Sequence, residues 1–191
     1  MIIKKITFPL VAAFLAYRSV ELMRVFDQLS PTATPFWLIF ILVLMLNLFI
    51  TGIFAFIGFA YPSNKLLPES YYIIRNPAFL RRVYQVLGVN YFKKMLLVTF
   101  WGKDKNRKKY FDGTKAGLGN FVYQTKQSEF GHLAAFVVIT ILGLLLLSKG
   151  HLIAFLITMA FNIPANFYPI ILQRIHRIKL GKLTERIGLS K

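Results

Sequence analysis

The chain has 191 residues, is 56% hydrophobic and only 16% charged, and sets 24 Lys and Arg against 7 Asp and Glu for a formal charge of +17. A mean hydropathy of +0.56 excludes an ordinary soluble domain and points to an integral membrane protein, read as one unit over residues 1–191. Cysteine is absent, which rules out disulfides, thiolate metal sites and a cysteine nucleophile.

The first apolar stretch, Ile6 to Tyr17, lacks a small-residue cleavage site and runs into Arg18, Glu21 and Arg24. It is read as a retained first span over about residues 6–27. Pro35 to Ala60 is apolar apart from Asn47 and Thr51, and it has the roughly 20 residues that a bilayer core requires. Residues 61–128 form a basic segment. Within it Leu80, Val83, Tyr84 and Leu87 recur at helical spacing while Arg81, Arg82 and Gln85 take the other face, which predicts an amphipathic helix. Tyr91 to Trp101 places Phe92, Met95, Leu96, Leu97, Phe100 and Trp101 around Lys93 and Lys94, the mixture expected of a helix in the headgroup layer. Gly102 to Lys109 reads as a polar loop. Two further spans, 130–147 and 152–172, are separated by a tight turn at Ser148 to His151 and make an antiparallel hairpin. Residues 173–191 read as a basic tail. The expected fold is all-α, with about four transmembrane helices and amphipathic interfacial helices between the second and third.

Charge orients these spans. Thirteen of the Lys and Arg fall in residues 61–128 and six in 173–191, while Lys149 stands alone between the last two spans. The positive-inside rule then puts both termini and the middle segment in the cytoplasm of a multi-pass cell membrane protein. Such a surface suits membrane lipids with anionic headgroups or an anionic substrate. Nucleic acid is a poorer partner for the basic and aromatic residues, because that segment is tethered between spans. Oligomeric state is left open.

Ionisable groups within a span are functional by default, and the third span opens on Glu129 and His132. Three residues apart, they share a helical face. A carboxylate beside an imidazole sets its tautomer and raises its basicity, preparing it to take a proton from a hydroxyl. The plainer alternative is an interfacial pair that bonds between helices. Glu-x-x-His is also half of a di-iron pattern. No second copy follows, and His151 and His176 fall at the opposite membrane face and in the tail, so no metal site is expected. In the last span Asn162, Asn166, Gln173 and Arg177 are spaced to form one polar stripe. Pro164 and Pro169 free backbone carbonyls there, as is tolerated along a cavity. The hairpin brings Glu129 and His132 toward Asn166, Gln173, Arg174 and Arg177, although packing through amides explains part of the stripe equally well.

The stretches LLPESYY at 66–72, FDG at 111–113, QTKQSEFGH at 124–132 and NFYPIILQRIHRIKL at 166–180 resemble the ordered motifs of the glycosyl-4,4'-diaponeurosporenoate acyltransferases. These bacterial membrane proteins esterify a sugar hydroxyl of a glycosylated carotenoid acid. His176 stands where that family more often has Asn, and Pro169 is displaced by one position.

The resemblance and the residues together suggest that His132, oriented by Glu129, deprotonates an acceptor hydroxyl as it attacks an acyl thioester. Asn166 or Gln173 is expected to donate to the oxyanion. Arg174 and Arg177, with Lys126 and other basic residues of the middle segment, are expected to hold the phosphates of acyl-CoA or a similar donor. Glu69, the acidic residue of the first motif, is assigned to substrate binding. No cofactor is expected beyond this co-substrate, and the other substrate is an amphiphilic hydroxyl acceptor. The competing readings are a non-catalytic lipid-binding or scaffolding subunit of a biosynthetic complex, and another lipid-modifying membrane enzyme such as a methyltransferase or reductase.

Overall fold

Long, largely apolar runs build the first two helices of the computed structural model, α1 (Ile2–Gln28), which tolerates Pro9, and α2 (Phe36–Ala60). The structure describes residues 2–101, 114 and 117–186. The expected loop at Gly102 to Lys109 and the Phe111-Asp112-Gly113 motif lie outside them. α1 and α2 pack antiparallel, with Ala12 and Ser19 of α1 buried. A Cβ at Gly52 would lie 2.8 Å from Leu15 Cδ1, so a side chain there would displace Leu15. Small residues at such a crossing let helices approach closely where lipid supplies no hydrophobic drive.

After a short 3-10 turn, the middle segment forms α3 (Glu69–Tyr72), α4 (Pro77–Val86) and α5 (Val89–Leu96), the last continuing into a π turn over Leu97–Trp101. The two amphipathic helices expected here are both present. The side chain of Asn76 accepts from the Phe79 amide at 2.9 Å, and Pro77 occupies the first helical position. Both are favourable start signals. Gly88 has φ of 63°, a conformation that needs glycine and separates α4 from α5.

α6 (Gly117–Ser148) begins well before the expected span start at 130. The polar stretch ahead of Glu129 contains no proline, and the Gly117 amide donates to Thr114 Oγ1 at 3.0 Å. Its 32 residues extend about 48 Å at 1.5 Å each. The helix ends as the hairpin reading requires. Gly150, at φ 86°, donates to Leu147 O, and His151 N donates to Leu146 O, both at 2.9 Å, closing the last turn in a Schellman motif.

The final helical path does not stop at Leu172. It runs as α7 (Leu152–Asn162), a π turn (Ile163–Phe167) and α8 (Tyr168–Arg186), so most of the expected basic tail is helix. Pro164 sits inside the π turn, whose wider winding absorbs the missing backbone donor.

The chain contacts itself as two compact units, Met1–Ser63 with Gly131–Phe167 and Asn64–Phe130 with Tyr168–Lys191. In the first, Phe26, Ile39, Val43, Leu46, Ile139 and Leu146 form the core. Large apolar side chains such as Phe14, Trp37, Leu48, Ile141 and Leu156 remain on its outside, an arrangement that calls for lipid rather than water around it. In the second, α8 packs on α4 and α5, and Phe92 meets Tyr168 edge-on with ring centroids 5.7 Å apart. Among the described residues no strand is present, and four helical stretches are long and apolar enough to cross a membrane.

Candidate active site

In the first unit a set of buried polar groups around Asn166 forms a neutral, hydrogen-bonded chain. His132 Nδ1 lies 3.1 Å from Asn166 Oδ1. The Asn166 amide nitrogen donates to Thr51 Oγ1 at 3.2 Å and to Asn162 Oδ1 at 3.0 Å. Asn162 in turn donates to Phe136 O at 3.0 Å and to Thr140 Oγ1 at 3.2 Å. Asn162 and Asn166 are fully buried, and the π turn sets Asn166 into this network. Because both Asn166 hydrogens are taken, its oxygen is the group that faces His132. The imidazole therefore carries its proton on Nδ1 and leaves Nε2 as the basic nitrogen.

This corrects two expectations. Glu129 does not orient His132, because both carboxylate oxygens bond elsewhere and the amide of Asn166 holds the ring. Asn166 also has no N–H to spare for an oxyanion.

The second unit gathers a charged cluster around Glu129, which is completely buried. Arg174 Nε donates to Glu129 Oε1 at 2.7 Å, and Arg177 Nη2 pairs with Oε2. Two charge-assisted bonds to guanidinium outweigh the single contact that a neutral imidazole could offer. Tyr71 and Tyr72 provide aromatic faces: the Arg174 guanidinium lies 4.8 Å from the Tyr71 centroid and that of Arg177 lies 5.5 Å from Tyr72. Lys126 sits 5.2 Å over the other ring contact, the Tyr72 centroid, and pairs with Glu69. Gln173 donates to Ser128 Oγ at 3.2 Å.

Burial and, after it, the Glu129 carboxylate push the Tyr72 phenol up to about 12, against the opposing pull of Arg177. Burial likewise raises Tyr71. Both phenols thus stay neutral donors at physiological pH.

The residues singled out from sequence sort into these two groups. His132 and Asn166 belong to the neutral chain; Glu69, Lys126, Glu129, Gln173, Arg174 and Arg177 belong to the charged cluster. Sequence reasoning gave no role to Thr51, Thr140 or Ser128. Thr51 had a visible signal, being one of two polar residues in an otherwise apolar span. Tyr71 and Tyr72 belong to the first motif, where the sequence gives neither a role of its own, although each ring lies against an arginine.

Three separate sequence stretches, residues 68–72, 125–129 and 173–177, therefore supply one cluster, and their order along the chain is that of a family pattern. No curated protein and no solved structure matches the chain. Residues 68–186, well over half of it, match the family model described as glycosyl-4,4'-diaponeurosporenoate acyltransferase, and the chain belongs to that family of acyltransferases of carotenoid biosynthesis.

Proposed function

We propose that the protein transfers a fatty acyl group from an activated thioester to a hydroxyl of a glycosylated carotenoid-like or lipid acceptor, with His132 as general base. The observation that carries this reading is the 3.1 Å contact of His132 Nδ1 with Asn166 Oδ1, in a chain that commits the proton to Nδ1. Nε2 takes the hydroxyl proton as the acceptor oxygen attacks the thioester carbonyl. The tetrahedral intermediate collapses with cleavage of the C–S bond, and the leaving thiolate recovers the proton from the imidazolium. Oxyanion stabilisation falls to donors other than Asn166. The basic cluster of the second unit holds the anionic end of the donor, while Glu129 positions its arginines. Membership of an acyltransferase family favours this reading over a scaffolding subunit.

The direct test is a reconstituted reaction of purified protein, acyl-CoA and a glycosylated carotenoid acid, followed by mass spectrometry. A product heavier by one acyl group is expected. Lack of product with every thioester donor and hydroxylated glycolipid tried would remove the proposal.

The excess of basic residues in 61–128 and 173–191 supports placing both termini and the middle segment in the cytoplasm. Reporter fusions after residue 30 and at Lys149 should report outside, and fusions at residues 105 and 191 inside. An external signal at 105 would separate the basic segment from a cytoplasmic thioester.

A further inference from the structure

Arg177 carries more donors than its partners use. Its side chain is 8% exposed, and Nη2 pairs with Glu129. Nε and Nη1 are buried without a hydrogen-bond partner, as is the hydroxyl of Tyr72. Buried polar groups in native proteins are nearly always satisfied, so orphans on a cation call for an anion. Charge points the same way. Glu129 offers one negative charge to Arg174 and Arg177 together, so one positive charge is left over.

Arg174 differs from its neighbour: its Nε donates to Glu129, its guanidinium lies against the ring of Tyr71, and its side chain is 27% exposed. Arg177 is among the residues that line an open cleft of about 380 Å³, with Tyr72, Ile74, Arg81, Ile178 and Lys182, and its unpartnered nitrogens lie just beneath that surface. That volume is at the lower end of the range for small-molecule sites. Tyr72 and the side chain of Arg177 are its buried polar groups, while Arg81 and Lys182 are exposed. No acidic residue is among the described lining residues.

We propose that this cleft is a phosphate-binding site in which Arg177 and Tyr72 donate from the buried side, and Arg81 and Lys182 from the exposed side, to a phosphomonoester or diphosphate. The guanidinium fork suits phosphate oxygens, and the lysine adds a mobile point charge. Assigning the phosphate to the thioester donor rests on the function proposed above. The headgroup phosphate of an anionic lipid has the same chemistry, so the test separates the two sources.

The full chain is reconstituted in discs of neutral phosphatidylcholine, and coenzyme A binding is measured by calorimetry. A second arm follows retention of phosphatidic acid by native mass spectrometry. The variants are Arg81→Gln with Lys182→Gln, which alters only exposed groups, and Arg177→Lys, which keeps a cation for Glu129. Coenzyme A should bind the wild type and bind each variant at least tenfold more weakly, with unchanged thermal midpoints. Loss confined to phosphatidic acid in the variants would uphold the phosphate site and overturn its assignment to the donor. Absence of binding in both arms, or equal binding by wild type and variants, would overturn the site itself. Phosphate binding that persists in a protein without acyl transfer would sink only the function, and loss of turnover in His132→Ala without phosphate binding would sink only the cleft.

Discussion

The two polar clusters solve the problem of buried polarity in opposite ways. Around Asn166 every group is neutral and the amide hydrogens all find acceptors within a unit clad in apolar side chains. Around Glu129 full charges are buried, one carboxylate serves two arginines, and donors are left over. A closed neutral network can fix a ring and its tautomer but has little left with which to bind a ligand. A charged cluster with surplus donors can recruit an anion, at the expense of depending on a single carboxylate. The chemistry and the binding proposed for this enzyme divide along that line.

The strongest way to break the contrast is His132→Ala. General-base catalysis is worth roughly 10²–10⁴-fold, so turnover in the reconstituted assay should fall by that factor while insertion and the thermal midpoint hold. Near-normal turnover would reduce the neutral network to packing. Next comes Glu129→Ala, which leaves two guanidinium groups without their shared anion. Removing one partner of a buried ion pair costs about 3–5 kcal/mol, and thermal unfolding in detergent should show a loss of that order. If stability is unchanged, Glu129 does not hold the cluster together.

Asn166→Ala sharpens the same comparison from the neutral side. It orphans partners at a cost of about 1–3 kcal/mol and frees the imidazole to turn. The kcat should therefore fall with little change in the donor KM, the pattern of a group that acts through the base. A rise in donor KM alone would instead place Asn166 in binding. Thr51→Val removes one member of the chain and should cost only about 0.6 kcal/mol, the average for a hydrogen bond between membrane helices. A much larger loss in the same unfolding assay would make Thr51 a keystone rather than a support.

The smallest effect is expected at Tyr72. Its phenol is raised to about 12 above the ordinary value near 10, so the neutral form is favoured in the folded state. That contribution is fully present below about pH 10 and is lost as pH climbs toward the folded value. Tyr72→Phe should flatten the fall in thermal midpoint above pH 10 and leave the profile from pH 6 to 9 unaltered. A changed profile in that lower range would mean that Tyr72 titrates far below the position its burial dictates.

Hydropathy and local spacing determined the all-helical character, the spans, the turn at Gly150, the amphipathic helix at Pro77–Val86 and the family motifs, because these depend on residues close together in the chain. The same logic mispaired Glu129. Spacing of three along a helix makes His132 a possible neighbour, but it carries no information about competitors from another helix. Arg174 and Arg177 win because each brings a full charge to a fully buried carboxylate. Hydropathy also started α6 too late and ended the last helix too early, since polarity marks the limit of a span and not of a helix, and no proline stands at either limit. Only the tertiary structure distinguished the two arginines of the last motif. They are chemically identical in the sequence, and what separates them is burial: the Arg174 side chain is 27% exposed beside the ring of Tyr71, whereas Arg177 keeps two buried nitrogens without a partner.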